Sequence, residues 1–150
     1  MRRFSLLVAA FGLLLTSVVV ADVKLEGVKC IVATDKAAKA EKSADYKGGK
    51  VYFCCDGCPK AFAKDEKKFA TKANTQLVAT EQAKQHKCPL SGEDLDKTTE
   101  ITVAGAKVQF CCNKCKGEVE KLKGDEQAEK VFGDKAFEKA GFKVEKAKTN

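Results

Sequence analysis

The feature that most narrows what this chain can fold into is an internal repeat. Residues 46–58 lie over residues 103–115 without a gap, at an offset of 57. Gly48, Lys50, Val51, Phe53, Cys54, Cys55 and Cys58 then fall on Gly105, Lys107, Val108, Phe110, Cys111, Cys112 and Cys115. Each copy also has one cysteine far upstream, Cys30 or Cys88, and these match if one residue is inserted. All eight cysteines are thereby assigned, four to each unit, with none left over.

Within a unit the local signals are readable. Gly48-Gly49 reads as a turn, and Val51 to Phe53 as a short β-branched and aromatic run ending at the double cysteine, which predicts a hairpin strand. Pro59 stands where a first helical residue would be, and Phe62 and Phe69 lie seven apart on one face of a segment reaching about Ala70. The second copy places Val119 at the Phe62 position with Leu122 beside it, and Gly124 ends that segment. The order hairpin, cysteine knuckle, helix predicts an α+β fold of two small treble-clef or zinc-finger-like units with a short helical C-terminal tail.

Residues 35–44 are rich in Ala and Lys without an apolar face, which suggests a solvated helical turn or a loop. Residues 75–80 suggest a strand connecting the units. In the tail, Ala128, Val131, Phe132, Ala136, Phe137, Ala140 and Phe142 predict one or two amphipathic helices broken at Gly133-Asp134, stopped by Gly141 and packed on the second finger. The expected division is a leader over 1–21, a first cysteine finger over 22–75, a linker over 76–85, a second finger over 86–124 and the tail over 125–150.

The leader has the pattern of a secretory signal: Arg2 and Arg3 precede an apolar run over residues 4–20, and Val19-Val20-Ala21 suits a signal peptidase. An uncleaved anchor is the competing reading, because the run approaches the roughly 20 apolar residues that span a bilayer. Cleavage after Ala21 would leave a secreted or periplasmic chain with 26 lysines, no arginine and 21 acidic residues, a net charge of +5. Those lysines alternate with Asp and Glu, as over residues 60–68, and this describes a solvated surface rather than a nucleic-acid track of clustered Lys and Arg. Large apolar residues are thinly spread, so a small exported chain of this kind needs disulfides or a metal to help hold it.

Each unit reads Cys, a long insert, then Cys-Cys-x-x-Cys, with 23 residues between Cys30 and Cys54 and 22 between Cys88 and Cys111. A spaced pair on a strand-to-helix turn points two sulfurs into one volume. The hairpin returns the distant cysteine beside them, giving three or four thiolates around one ion. Amides at the start of each helix favour the thiolate form of the cysteines there. The candidate ligands are therefore Cys30, Cys54, Cys55 and Cys58 in the first unit and Cys88, Cys111, Cys112 and Cys115 in the second. Consecutive residues of a strand point to opposite faces, so Cys55 and Cys112 join their sites only where the backbone turns. Three thiolates suit Cu(I) or another soft ion, and four suit Zn(II). His86, two residues before Cys88, is a further candidate for the second site, although the first finger has Val28 near that place.

The pattern resembles the TRASH and YHS metal-binding families, in which an early Cys is followed by an insert of about twenty residues and then by Phe-Cys-x-x-x-Cys entering a helix. Cys30, Phe53, Cys54 and Cys58 carry the match in the first unit, and Cys88, Phe110, Cys111 and Cys115 in the second. It covers roughly residues 28–69 and 86–122. The first insert is slightly longer than is usual there, and the doubled cysteine is a departure. The resemblance implies treble-clef-like fingers and a role in heavy-metal sensing, trafficking or resistance, with metal ions and a membrane transporter or sensor as partners.

Two other classes stay open on the residues themselves. Four disulfides would make the chain a stapled interaction module, and each unit allows three pairings. Cys55-Asp-Gly-Cys58 and Cys112-Asn-Lys-Cys115 are also Cys-x-x-Cys sequences at a helix start, as in thiol redox proteins, but no βαβ pattern of thioredoxin type surrounds them. No Ser-His pairing or Gly-rich phosphate motif appears, so the expectation is a binding protein rather than an enzyme.

Overall fold

Both repeat units open on a β-hairpin of the same dimensions. In the computed structural model, which describes residues 23–145, the elements run β1 (Lys39–Tyr46), β2 (Gly49–Phe53), α1 (Gly57–Lys64), α2 (Glu66–Ala79), β3 (Ala83–Lys84), β4 (Asp96–Val103), β5 (Ala106–Phe110), α3 (Asn113–Glu120), α4 (Gly124–Phe132), α5 (Asp134–Lys139) and β6 (Lys143–Val144). The architecture is α+β, with helices against three two-stranded antiparallel sheets. The export segment expected over residues 1–21 lies outside the described residues. Among the described residues no helix is long and apolar enough to cross a membrane.

The repeat governs backbone beyond the residues that match. β1 pairs with β2 and β4 with β5, each with a register shift in the first half of its longer strand. The hairpin turns are Lys47-Gly48 and Ala104-Gly105, with φ of 48° and 86° in the first and 49° and 83° in the second. Two successive left-handed residues make the primed turn whose twist suits a hairpin. The turn thus sits one residue earlier than the expected Gly48-Gly49, and Gly49 begins β2 instead. There a Cβ would come within 2.8 Å of Leu77, because α2 crosses close over the strand.

Three local expectations are corrected. Residues 39–44 form most of β1 rather than a helical turn or loop: the hairpin pairs them with β2, so a strand of low apolar content is held by its ladder. The helix expected to reach about Ala70 is two helices, separated at Asp65, where φ is −153° and ψ 73°. Residues 75–79 belong to α2, not to a connecting strand. The Asp65 carboxylate accepts the Lys68 N–H at 3.2 Å and caps this helix. Ala70, Ala73 and Leu77 then form a buried helical stripe that outweighs the strand preference of Thr75 and Val78. The second helix likewise ends at Glu120, and Gly124 begins α4 rather than ending α3.

The tail has its two helices broken at Gly133, but it packs on α2 of the first unit as well as on α3 of the second. Asn74 of α2 donates to the Phe132 carbonyl at 2.8 Å, Lys47 of the first hairpin turn pairs with Asp134 at 2.7 Å, and Thr71 hydrogen-bonds Glu129. After α5, Phe142 stacks on Phe137 with ring centroids 4.7 Å apart, and β6 pairs with β3 between the units. The reason is that α2 is buried on more than one side, with Gln76 bonded to β2 and Asn74 to the tail. One continuous core results, with Phe53, Phe62, Phe110, Phe132 and Leu77 almost wholly buried, each contributing about 1.5–3 kcal/mol.

Candidate metal centre

In each unit three cysteines converge from three places in the chain. Cys30 sits in a loop closed by the Lys29↔Ala37 bridge, and its N–H donates to the Lys36 carbonyl at 2.9 Å. Cys88 sits in a tighter loop, where its N–H donates to Glu93 and the Gly92 N–H returns to its carbonyl, both at 2.8 Å. Cys54 and Cys111 follow the last residues of β2 and β5. Cys58 and Cys115 lie in the first turns of α1 and α3. The sulfurs of Cys30, Cys54 and Cys58 all lie within 4.8 Å of one another, and so do those of Cys88, Cys111 and Cys115. Cys54 to Cys58 and Cys111 to Cys115 are both 3.7 Å. Metal–sulfur bonds of about 2.3 Å put sulfurs roughly 3.8 Å apart around a tetrahedral ion and roughly 4.0 Å around a trigonal one. The donor set and its spacing therefore fit a thiophilic ion.

The doubled cysteines lie at the solvent edge of these groups. Cys55 and Cys112 are exposed and belong to neither mutual triad. Cys55 Sγ approaches Cys58 Sγ at 3.4 Å, whereas Cys112 Sγ approaches Cys111 Sγ at 3.7 Å. His86 is exposed and outside both groups; its N–H donates to the Ala140 carbonyl at 3.1 Å.

Two kinds of support residue were invisible in the pattern. The outer edge of β2 is closed by glutamine side chains. Gln76 accepts the Tyr52 N–H at 2.6 Å and donates to the Tyr52 and Lys29 carbonyls at 3.0 and 2.9 Å, and Gln82 clamps both backbone groups of Lys50. On β5 the same is done by Gln85, which accepts from Gln109 N–H at 2.8 Å and donates to its carbonyl at 2.7 Å. Tyr52 and Gln109 are equivalent repeat positions, each two residues before a knuckle cysteine. The clamps satisfy backbone groups of an otherwise open edge and fix the strand that delivers the thiol. Gln76 also joins that strand to the Cys30 loop. A lone Gln in a helix or loop has no spacing signal that would reveal this.

The second support is specific to one unit. Thr99, fully buried in the β4 irregularity, accepts the Phe110 N–H at 2.8 Å, and its hydroxyl lies 2.7 and 2.6 Å from the carbonyls of Phe110 and Asp96. The first finger has Lys42 at that position, reaching out to Asp56 at 2.6 Å.

The thiols of a triad are not equivalent. Burial pushes Cys30 up, but the N–H groups of Ala33, Val32 and Cys54 outweigh it and bring the thiol below its ordinary value. Burial likewise raises Cys88, and the Ser91 hydroxyl with the N–H groups of Ser91, Cys111 and Leu90 brings it down to about 7. Cys58 and Cys115 are pushed well up by burial and by neighbouring thiols. Each triad thus offers one thiolate-prone sulfur and one that holds its proton until a positive ion displaces it. At the edge, the Cys58 thiol and the N–H groups of Gly57 and Cys58 lower Cys55 to about 7.

Comparison with protein-family models, with curated proteins and with solved structures gives no match.

Proposed function

We propose that this chain is an exported metal-binding protein of the TRASH/YHS kind. In this reading it carries one Zn(II) or Cu(I) ion in each finger for trafficking, buffering or resistance, has no enzymatic activity of its own, and meets a membrane transporter or sensor as partner. The observation that carries it is the double convergence of three thiols at metal–ligand spacing, Cys30/Cys54/Cys58 and Cys88/Cys111/Cys115. Three sulfurs around one point suit an ion, which engages all three at once, whereas disulfides would use all three only by drawing in the exposed fourth cysteine, Cys55 or Cys112. Buried members such as Cys30 and Cys88 are shielded from solvent oxidants and poised for a soft cation.

The test is native mass spectrometry of the chain purified from its own compartment, read beside a free-thiol count. The expected result is two bound ions and eight thiols titrated after denaturation and metal removal. Four disulfides with no bound metal would refute the reading. Chelation distinguishes the two metals' roles: loss of structure on stripping indicates a structural Zn(II), because binding and folding are then one equilibrium, and an intact apo fold indicates cargo.

A further inference from the structure

The doubled cysteine recurs in both fingers, yet the triads are geometrically sufficient without it. Cys55 and Cys112 are the two exposed thiols of the eight. Each touches a triad member from the solvent side, Cys55 at 3.4 Å from Cys58 and Cys112 at 3.7 Å from Cys111. Behind them Cys30, Cys58 and Cys88 are buried and Cys54, Cys111 and Cys115 partly so, so a bulky carrier molecule meets the exposed sulfur before it meets most of the triad.

Resting on the reading of the triads as metal sites, we propose that Cys55 and Cys112 are exchange ligands, through which Cu(I) passes between each triad and a thiol-bearing carrier in solution. Loading begins with Cu(I) on the carrier's sulfur. The Cys55 thiol loses its proton as its sulfur bonds to the ion, and the carrier sulfur leaves with a proton. Cys58 then gives up its proton to solvent and bonds to the ion, and Cys55 is released and takes up a proton as Cys30 and Cys54, each yielding to solvent any thiol proton it holds, complete the triad. The copper stays Cu(I) throughout, so no electron acceptor is required.

The short contacts make this stepwise path possible. Two sulfurs on one ion stand no more than about 4 Å apart in a trigonal arrangement, and 3.4 Å between Cys55 and Cys58 is inside that span. The ion can be held by the second sulfur before the first lets go, so no bare ion is formed. In the second unit Cys112 Sγ stands 3.7 Å from Cys111 Sγ, also inside that span, so the same hand-over is open there.

The experiment uses the reduced, metal-free full chain, mixed in a stopped flow with Cu(I)–glutathione as donor and followed by copper–thiolate absorption. The end point is measured by competition with bicinchoninate. Cys55→Ser and Cys112→Ser, made singly and together, are each exposed substitutions of one atom, and Cys55→Ala checks that the introduced hydroxyl is not responsible. The expected result is that the double variant still takes up two Cu(I) ions with end-point affinity within about threefold of the parent but loads at least tenfold more slowly, each single variant slowing one of two phases. Loading within threefold of the parent overturns the proposal. So does loss of an ion from the double variant, which would make these cysteines resident ligands. A parent chain that takes up no Cu(I) at all refutes the metal-site reading itself, a result distinguishable from both.

Discussion

In the first finger the knuckle closes with a tight turn, the Cys58 N–H donating to the Cys55 carbonyl at 3.3 Å. In the second the Lys116 N–H donates to the Cys112 carbonyl at 3.2 Å, one helical step further on. Cys112 is accordingly the extended residue capping α3, while in the first finger that place falls to Asp56. With this one-residue difference in where the helix starts, the short sulfur contact of the spare thiol is to Cys58 at 3.4 Å in the first unit and to Cys111 at 3.7 Å in the second, where the Cys115 N–H also meets Cys112. The surroundings differ in the same way. Ser91 places a hydroxyl 3.2 Å from Cys111, where the first finger has Ala33, whose N–H meets Cys30 Sγ at 3.4 Å. The triads survive these changes because they depend on the hairpin, its clamp and the first helical turn, which both units share.

The comparison can be broken most decisively at the triads. Cys58→Ser should weaken the first site on the order of 1,000-fold and leave the second intact, with Cys115→Ser doing the reverse. Outer-sphere partners cost about 10–100-fold, and losing a primary ligand exceeds that. Isothermal titration with one metal, fitted to two sites, reads both numbers. Equal weakening of both sites in either variant would mean the fingers are not independent.

Clamp removal comes next. Gln76→Ala leaves the buried Tyr52 N–H without its partner and two carbonyls short of a donor, at a cost of about 2–3 kcal/mol by urea denaturation of the metal-free chain. Gln85→Ala should cost less, about 1–2 kcal/mol, since Gln85 is only half-buried. A larger effect at Gln85 would reverse the order in which the fingers depend on their clamps.

Smaller effects sharpen the electrostatic difference. The Ser91 hydroxyl favours the Cys88 thiolate, so Ser91→Ala should raise the pH at which the second site releases its ion by less than about one unit, the worth of a single hydrogen bond. Ala33→Ser tests whether the same device lowers the release pH of the first site. Both are read by metal-release titration on acidification. Least of all, Lys47 holds the Asp134 carboxyl below its ordinary range, with the Asn74 amide assisting. A lowered folded value stabilises above the ordinary carboxylate range and is lost as pH falls through it. Asp134→Asn should therefore remove no more than about 1 kcal/mol near neutral pH, because the pair is half-exposed, and the difference from the parent should vanish in thermal melts as pH falls through that lowered carboxyl value.

These expectations rest on parts of the molecule that differ in how far they could be read from residues alone. The pairing of a distant cysteine with a knuckle was legible, because strand, turn and helix signals surround Cys54 and Cys111 in both copies and Phe62 and Val119 mark the inward face. β1 was not, since Lys39, Glu41 and Lys42 show no alternation and their strand exists only by pairing with β2. α2 was cut short because Thr75, Leu77 and Val78 resemble a strand when the Asp65 cap is overlooked. The clamp glutamines were silent for a different reason: their partners are backbone groups more than twenty residues away, which leave no mark on local sequence.

The central claim is that three sulfurs of each finger form the resident ligand set. X-ray absorption at the metal edge of the two-ion protein tests it most directly. The account predicts about three sulfur neighbours per ion at about 2.3 Å, unchanged in the Cys55→Ser, Cys112→Ser double variant. A first shell dominated by nitrogen or oxygen, or a sulfur count that falls in that variant, would contradict it.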